Sequence, residues 1–368
     1  MITVADYVID FFNKIKTQYV FTVSGGGSIF LCDSLQRSKK INYISCHHEQ
    51  AVSFAAESYA RQKENIGVAV VTTGPGGTNT VTGVSSCWID SIPVMFVSGQ
   101  VFLDQTIKKT GLRQLGVQEI DIISLVKPVT KYAIMINNPN DIRFHLEKAY
   151  FLALNKRPGP VWIDIPANIQ SALINPAKLK PFKLSLKSYK SQNFKNNIDT
   201  KIKILAEKLR NSERPLLHLG QGVRISKSIS LYKKFINKNK IPFSLTWNAT
   251  DILETDNPLY AGRPGAFAER GANFIVQNCD ILISVGSRLP FMVTGYNAKD
   301  FARNAYKVTV DIDRSEVRKK TLNFDLRLES DAKYFIEKLN FYLKKRKSNN
   351  HWLEYCKNIR KKYPIVLD

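Results

Sequence analysis

Apolar residues recur along the chain with two spacings, and the two spacings alternate. Between residues 3 and 16 the spacing is helical, with Thr3 as the predicted N-cap. The next apolar run, 19–23, is β-branched and aromatic, which is typical of a strand. Further strands are predicted at 41–45, 67–73, 93–98 and 161–165. Strands that alternate with helix-length segments predict a doubly wound α/β domain with a mainly parallel sheet.

A second alternating series follows a stretch rich in Lys, Ser and Asn. Its predicted strands lie at 215–219, 242–246, 280–285 and 307–311, and a helix is predicted at 267–278. The chain therefore reads as two α/β domains joined by a linker. The predicted organisation is a first domain at 1–170, a linker at 171–200, a central domain at 201–345 and a basic C-terminal segment at 346–368.

The net charge of +23 is concentrated in the second half of the chain. Residues 1–170 contain 16 Lys and Arg against 13 Asp and Glu, whereas the remainder contains 38 against 18. The basic stretches have no aromatic stacking pattern and no zinc-finger spacing, so solvated helix faces are favoured over a nucleic-acid partner. No apolar run reaches the length of a membrane-spanning helix, so no membrane association is expected.

The five cysteines are widely separated and include no Cys-x-x-Cys pair. An odd, scattered set argues against a disulfide framework and against a zinc site. The first residues carry Asp6 and Asp10 and no basic residue before Lys14, unlike a secretory signal. A cytoplasmic protein with reduced thiols is expected.

Three stretches at predicted strand ends carry candidate chemistry, because ligands of open α/β sheets bind at the carboxyl ends of strands. Gly25-Gly-Gly27 allows close approach of a ligand, although a tight turn explains it equally well. Gly74-Pro-Gly-Gly-Thr-Asn79 makes a loop that suits a planar ring, and it lacks the Lys-Ser/Thr of a P-loop. Glu49 begins a helix, where it is either an exposed end-group or a buried acid that shares a proton with a heterocyclic nitrogen.

Taken together, these motifs resemble the pyrimidine-binding domain of thiamine-diphosphate enzymes of the acetolactate synthase group. The motifs that carry the resemblance are Ser24-Gly-Gly-Gly27, His48-Glu-Gln-Ala51, Ala56-Glu-Ser-Tyr-Ala-Arg61, Thr73-Gly-Pro-Gly-Gly-Thr-Asn79, Asp90-Ser-Ile-Pro93, Ser98-Gly-Gln100, Pro128-Val-Thr-Lys131 and Arg157-Pro-Gly-Pro-Val161. The second half is similar to the family's central domain, on Pro215-Leu-Leu-His-Leu-Gly-Gln-Gly222, Asp256-Asn-Pro-Leu259, Cys279-Asp-Ile-Leu-Ile-Ser-Val-Gly-Ser-Arg288 and Val310-Asp-Ile-Asp313.

The resemblance implies roles for individual residues. It makes Glu49 the catalytic glutamate that hydrogen-bonds the pyrimidine ring nitrogen of thiamine diphosphate and stabilises its imino tautomer. It also implies cofactor contacts and, less directly, substrate contacts. The implied cofactor contacts are Gly25, Gly26, Gly74, Pro75, Gly76 and Asn79, and the substrate candidates are Gln118, Lys131 and Arg288.

Two departures from the family pattern limit what the resemblance implies. The family holds the diphosphate through Mg²⁺ on a Gly-Asp-Gly stretch of a further domain, and this sequence contains no Asp-Gly dipeptide. Mg²⁺ is therefore expected only through a missing or partner domain. Where acetolactate synthases carry a second arginine that selects a 2-keto acid acceptor, this chain carries Met292, which cannot pair with a carboxylate.

The expected function is that of the N-terminal and central part of a thiamine-diphosphate-dependent carboligase or decarboxylase acting on a 2-keto acid. The alternative is a non-catalytic, truncated or regulatory homologue that pairs with a complete enzyme. Whether the chain alone is an enzyme stays open, as does FAD binding to the central domain. The expected partners are a further copy of the chain, in a dimer or tetramer, or a chain that carries the diphosphate-binding domain.

Overall fold

The computed structural model describes residues 1–107, 110–184 and 195–365, and the chain divides into two compact units, Met1–Tyr189 and Lys190–Asp368. In the described part of the first unit, a six-stranded parallel sheet carries helices on both faces. Its strands are β2 (Tyr19–Thr22), β3 (Asn42–Ser45), β4 (Gly67–Val71), β5 (Val94–Gln100), β6 (Tyr132–Met135) and β7 (Val161–Pro166). Their order across the sheet is β3-β2-β4-β5-β7-β6.

Short segments and helices complete the first unit. β1 (Ile2–Thr3) and β8 (Leu173–Ile174) form a separate antiparallel pair. The helices are α1 (Val4–Lys14), α2 (Ile29–Arg37), α3 (Glu49–Lys63), α4 (Pro75–Asn79), α5 (Val81–Asp90), α6 (Ile122–Val126), α7 (Ile142–Leu154) and α8 (Ala167–Gln170). The predicted N-cap of the first helix is confirmed, because the Thr3 hydroxyl accepts a hydrogen bond from the Asp6 amide at 3.1 Å.

The alternation of side chains along β4 divides the first unit into two apolar layers. Val68 and Val70 pack with α1, α2 and α7 on one face, whereas Ala69 and Val71 pack with α3, α5 and α6 on the other. All five residues of this strand are buried, which explains its unbroken apolar sequence. The sheet therefore lies between two helical layers, and its carboxyl edge is left to the loops.

The second unit repeats this architecture with five parallel strands among the described residues. They are β9 (Pro215–Leu219), β10 (Phe243–Leu245), β11 (Ile281–Val285), β12 (Tyr306–Asp311) and β13 (Leu326–Glu329), in the order β10-β9-β11-β12-β13. The helices are α9 (Lys195–Asn211), α10 (Gly222–Ile225), α11 (Ile229–Asn239), α12 (Arg270–Asn278), α13 (Phe291–Thr294), α14 (Arg314–Arg318), α15 (Ala332–Leu343) and α16 (Asn350–Lys362). The predicted α/β class with parallel sheets is confirmed for both units.

Parts of the predicted linker and of the predicted basic segment are ordered elements. Strand β8 lies within 171–200, and α9 begins in the same stretch at Lys195, whereas 185–194 lie outside the described residues. In the basic segment, Arg346 is buried and donates to the Leu209 and Ser212 carbonyls at 3.1 and 2.6 Å. The indole of Trp352 on α16 donates to the Pro215 carbonyl at 3.0 Å, so this helix packs on the second sheet.

No helix within residues 1–107, 110–184 and 195–365 combines the length and the apolar character needed to cross a membrane.

A buried imidazole makes the second unit sensitive to acid. His218 on β9 bonds through Nδ1 to the Ser244 hydroxyl at 2.9 Å, and its Nε2 finds no hydrogen-bond partner among the described residues. Burial lowers the pKa of His218 from 6.5 to about 4. Below pH 6.5 the unfolded chain binds a proton that the folded unit takes up only near pH 4, so stability falls as the pH drops through that window.

We expect the second unit to lose about 2 kcal/mol of unfolding free energy between pH 7 and pH 5 from this group. Amide hydrogen exchange within the second unit, recorded at increasing urea concentration, measures this loss of unfolding free energy. The variant His218→Asn should flatten the pH dependence, while His351→Asn, at an exposed position of α16, should leave it unchanged. Equal slopes for wild type and His218→Asn would exclude His218 as the cause.

Candidate functional site at the carboxyl edge of the first sheet

Loops that follow β2 and β4 meet around the side chain of Thr72. The Gly27 amide donates to the Thr72 hydroxyl at 3.0 Å. A Cβ on Gly25 would lie 2.6 Å from the Thr72 side chain, and a Cβ on Gly76 would lie 2.7 Å from its methyl carbon. Glycine at both positions therefore lets two loops close on one threonine.

Glu49 is placed by the start of α3. The strand β3 ends at Ser45, and His48 caps the helix by accepting a hydrogen bond from the Gln50 amide at its Nδ1, at 3.1 Å. Glu49 is thus the first helical residue, where the positive end of the helix dipole stabilises a carboxylate. Its side chain is half-buried, and it faces the loop that follows β4.

The two carboxylate oxygens of Glu49 have different surroundings. Oε2 accepts a hydrogen bond from the Asn79 side-chain amide at 2.9 Å. Oε1 lies 3.8 Å from the position that a Cβ on Gly76 would take, and the described part of the chain offers it no hydrogen-bond partner. One oxygen is therefore fixed, and the other remains an acceptor close to Gly76, where the Thr72 methyl group packs against the backbone.

Gly74 brings Gln118 to the same loop. Its backbone has φ 57° and ψ −120°, a conformation that favours glycine, and a Cβ there would lie 2.1 Å from the Gln118 carbonyl oxygen. Gln118 also has a positive φ, 58°, and its side chain is exposed. Pro75 follows as the first residue of α4, where its fixed φ suits a helix start.

A buried polar cluster lies behind these loops, and sequence reasoning did not assign it a role. Asp164 on β7 is 1% exposed and accepts hydrogen bonds from the Ser98 hydroxyl at 2.6 Å and the Gln100 amide at 3.1 Å. Burial raises the pKa of Asp164 to about 7. The signal in the sequence is an acidic residue inside an otherwise apolar strand, and its partners come from the neighbouring strand β5.

The remaining predicted residues lie elsewhere. Lys131 precedes the edge strand β6, at the amino edge of the sheet, and its ammonium donates to the Asn155 and Arg157 carbonyls at 2.6 and 2.7 Å. The structure therefore does not bring Lys131 together with Glu49 in this unit. Arg288 belongs to the second unit, where it is half-buried and follows the carboxyl end of β11.

The site around Glu49 combines a carboxylate with glycine backbone and open space. Residues 1–107, 110–184 and 195–365 contain no cluster of three or more His, Cys, Asp or Glu side chains arranged to hold a metal. The site instead offers one carboxylate oxygen, one fixed amide and glycine backbone. A Cβ on Gly26 would meet nothing within 4 Å, so open space adjoins the first glycine loop.

Comparisons with known proteins identify the family of both units. Residues 2–125 match the family model of the thiamine pyrophosphate enzyme N-terminal TPP binding domain, and residues 202–339 match the model of its central domain. Similar curated proteins are acetolactate synthase large subunits of Corynebacterium glutamicum, at 31% identity over 100% of this chain, and of Lactococcus lactis, at 29% over 98%. The chain is also 33% identical over 97% of its length to a probable acetolactate synthase large subunit of Methanocaldococcus jannaschii.

The chain spans 57%, 61% and 59% of the lengths of these three relatives. Each matched domain lies within one of the two α/β units, and the glycine loops, Glu49 and Asn79 all fall within the first match. The chain therefore belongs to the thiamine pyrophosphate enzyme family, with that family's N-terminal TPP binding domain followed by its central domain.

Proposed function

We propose that the first unit holds the pyrimidine ring of thiamine diphosphate, as part of an acetolactate synthase-like carboligase or decarboxylase acting on a 2-keto acid. The observation that supports this most is the asymmetry of Glu49, whose Oε2 is bound by Asn79 while Oε1 stays available beside Gly76. An acceptor held in this way matches a ring nitrogen that carries a proton.

In this proposal each residue has one task. Glu49 shares a proton with the ring nitrogen through Oε1, and Asn79 fixes the carboxylate so that this oxygen keeps its direction. Gly26 leaves open space for the ring. Gly25, Gly74 and Gly76 line the ring with backbone, because Thr72 or Gln118 fills the place of their missing side chains, and Pro75 stiffens the turn. When bound, thiamine diphosphate supplies the carbon nucleophile that attacks the keto carbon of the substrate.

The diphosphate and Mg²⁺ are assigned to residues outside the described part, on a further domain or a partner subunit. A diphosphate needs a divalent cation and backbone donors to replace its hydration shell. Because residues 1–107, 110–184 and 195–365 contain no cluster of His, Cys, Asp or Glu suited to a metal, the proposal includes a further domain or a partner subunit that holds Mg²⁺. Gln118 and Arg288 remain candidates for substrate contact. Lys131 is not proposed as a substrate contact, because its ammonium group donates to two backbone carbonyls.

The test is turnover of pyruvate by this chain coexpressed with the carboxy-terminal domain of the Corynebacterium glutamicum relative, with thiamine diphosphate and Mg²⁺ added. Turnover that depends on Glu49 supports the enzymatic proposal. Binding of hydroxymethylpyrimidine, the pyrimidine half of thiamine, without turnover supports the non-catalytic homologue. Absence of both contradicts the assignment of this site.

Gly26 allows the space above the first glycine loop to be tested without disturbing the fold. Because a Cβ there meets no atom within 4 Å, Gly26→Val should fold with unchanged stability. Its side chain would occupy the space assigned to the ring, so the affinity for hydroxymethylpyrimidine should fall by about tenfold or more, measured by ligand-observed NMR. If Gly26→Val binds hydroxymethylpyrimidine with unchanged affinity, the ring does not lie beside Gly26.

A further inference from the structure

Gln100, at the end of β5, is the most completely hydrogen-bonded side chain near the site. Its carbonyl oxygen accepts from the Thr73 hydroxyl at 2.5 Å and from the Val101 amide at 3.0 Å. Its amide nitrogen donates to the Ile120 carbonyl and to Asp164, both at 3.1 Å. All four hydrogen-bonding positions of this primary amide are therefore used.

These bonds join the two loops that meet at Gly74. Thr73 directly precedes Gly74 and receives the Gly76 amide on its carbonyl at 3.2 Å, so it anchors the turn that leads to Asn79. Ile120 follows Gln118, whose carbonyl oxygen lies against Gly74. A single side chain thus fixes the distance between the 73–79 turn and the 118–120 segment.

Two backbone groups fix which way the Gln100 amide points, and Asp164 accepts from it in that orientation. Its two carboxylate oxygens accept from Ser98 and Gln100, and the Trp162 indole donates to the Ser98 hydroxyl at 2.8 Å. Because the Val101 amide can only donate and the Ile120 carbonyl can only accept, the oxygen of the Gln100 amide faces Val101 and Thr73, and its nitrogen faces Ile120 and Asp164. A reversed amide would place two donors against each other at Val101 and two acceptors at Ile120, each at the cost of an unmade buried hydrogen bond.

We propose that Gln100, oriented by the Val101 amide and the Ile120 carbonyl and bonded to Asp164, is a positioning residue of the pyrimidine site. It acts through Thr73 and Ile120, and it holds the 73–79 turn and the 118–120 segment at the separation that the ring requires. The identity of the ring rests on the proposed function, whereas the coupling of the two loops does not.

The test uses the full chain and two variants that sever the link in different ways. Thr73→Val removes only the hydroxyl, and Gln100→Glu removes the donor to Ile120 and sets a carboxylate against Asp164. We expect the amides of Gly76 and Thr78, which bond to Thr73 and Gly74, to exchange hydrogen about tenfold faster in Thr73→Val. In Gln100→Glu the Ile122 amide, bonded to Ile120, should exchange faster as well.

Binding provides the second readout. The affinity for hydroxymethylpyrimidine, measured well below the unfolding temperature, should fall about five- to tenfold in Thr73→Val and further in Gln100→Glu. Thr73→Ser keeps the hydroxyl and should retain the wild-type affinity. Thr130→Val, which removes another buried hydroxyl bonded to a backbone carbonyl, at 2.9 Å from Val126, should change neither readout.

The two readouts separate failure of this inference from failure of the proposed function. If the wild-type chain binds no hydroxymethylpyrimidine, the proposed function is contradicted, while faster exchange at Gly76, Thr78 and Ile122 still supports the coupling. If both variants exchange at these amides as the wild type does, the positioning role is overturned. The same holds if Thr130→Val accelerates them equally.

Discussion

Replacing Glu49 with glutamine is expected to reduce turnover of a 2-keto acid by the complete assembly at least about a hundredfold. The amide has nearly the shape of the carboxylate, and its oxygen can still accept from Asn79. The group beside Gly76 would then be an NH₂, which donates and cannot take up the proton of the ring nitrogen. Steady-state consumption of pyruvate measures the loss, and the affinity for hydroxymethylpyrimidine should fall with it.

The same helix supplies a matched control for this change. Glu64 is exposed at the carboxyl end of α3, and Glu64→Gln removes one charge from the same unit without touching the site. It should retain wild-type turnover. Turnover of Glu49→Gln within a factor of two of the wild type would show that Glu49 transfers no proton.

Replacing Arg61 with leucine is expected to destabilise the first unit by about 3–5 kcal/mol. The guanidinium bonds Glu57 and Asp90, each at 2.7 Å, and the Glu57 side chain is only 8% exposed. In Arg61→Leu the Glu57 carboxylate stays buried beside the apolar cluster of α3 and α5 and loses its ion-pair partner. Urea unfolding with hydrogen exchange resolved for the first unit measures the change.

Arg37 provides the comparison within the same unit. It pairs with Asp6 and Asp33 at 2.7 and 2.9 Å, yet its side chain is 55% exposed. Arg37→Leu should cost less than about 1 kcal/mol, because water screens an exposed pair. If Arg61→Leu and Arg37→Leu lose equal unfolding free energy, the burial of Glu57 does not determine the size of the loss. Since Arg61 also ties α3 to α5, its loss should weaken ligand binding at Glu49 as well.

The sequence predicted every central strand and the edge strands β3 and β10, but it missed the edge strands β6 and β13. β4 and β9 fall within the predicted ranges because buried parallel strands form unbroken apolar runs bounded by turn residues. β6 and β13 are only four residues long and largely half-buried; Tyr-Ala-Ile-Met does not alternate, and the alternation of Leu-Arg-Leu-Glu is too short to stand out. The order of the strands depends on long-range pairing, which no local pattern encodes.

The candidate site likewise has residues that the sequence predicted and contacts that it did not. The glycines and Glu49 were identified from motifs at strand ends, where local sequence determines the turns. The contact of Glu49 with Asn79, the approach of Gln118 to Gly74 and the Asp164–Gln100 pair depend on how separate loops meet. Gly99 illustrates the difference, because a Cβ there would lie 1.9 Å from the Gly27 carbonyl oxygen, which only the folded sheet reveals.

We propose that the carboxyl edge of the first sheet holds a pyrimidine against Glu49. Titration of the isotope-labelled chain with hydroxymethylpyrimidine, followed by amide chemical shifts, tests it directly. We predict saturable shifts confined to 25–27, 49–50, 74–79 and 118–120 that vanish in Glu49→Gln. Shifts that map to the second unit, or that persist unchanged in Glu49→Gln, would contradict the claim.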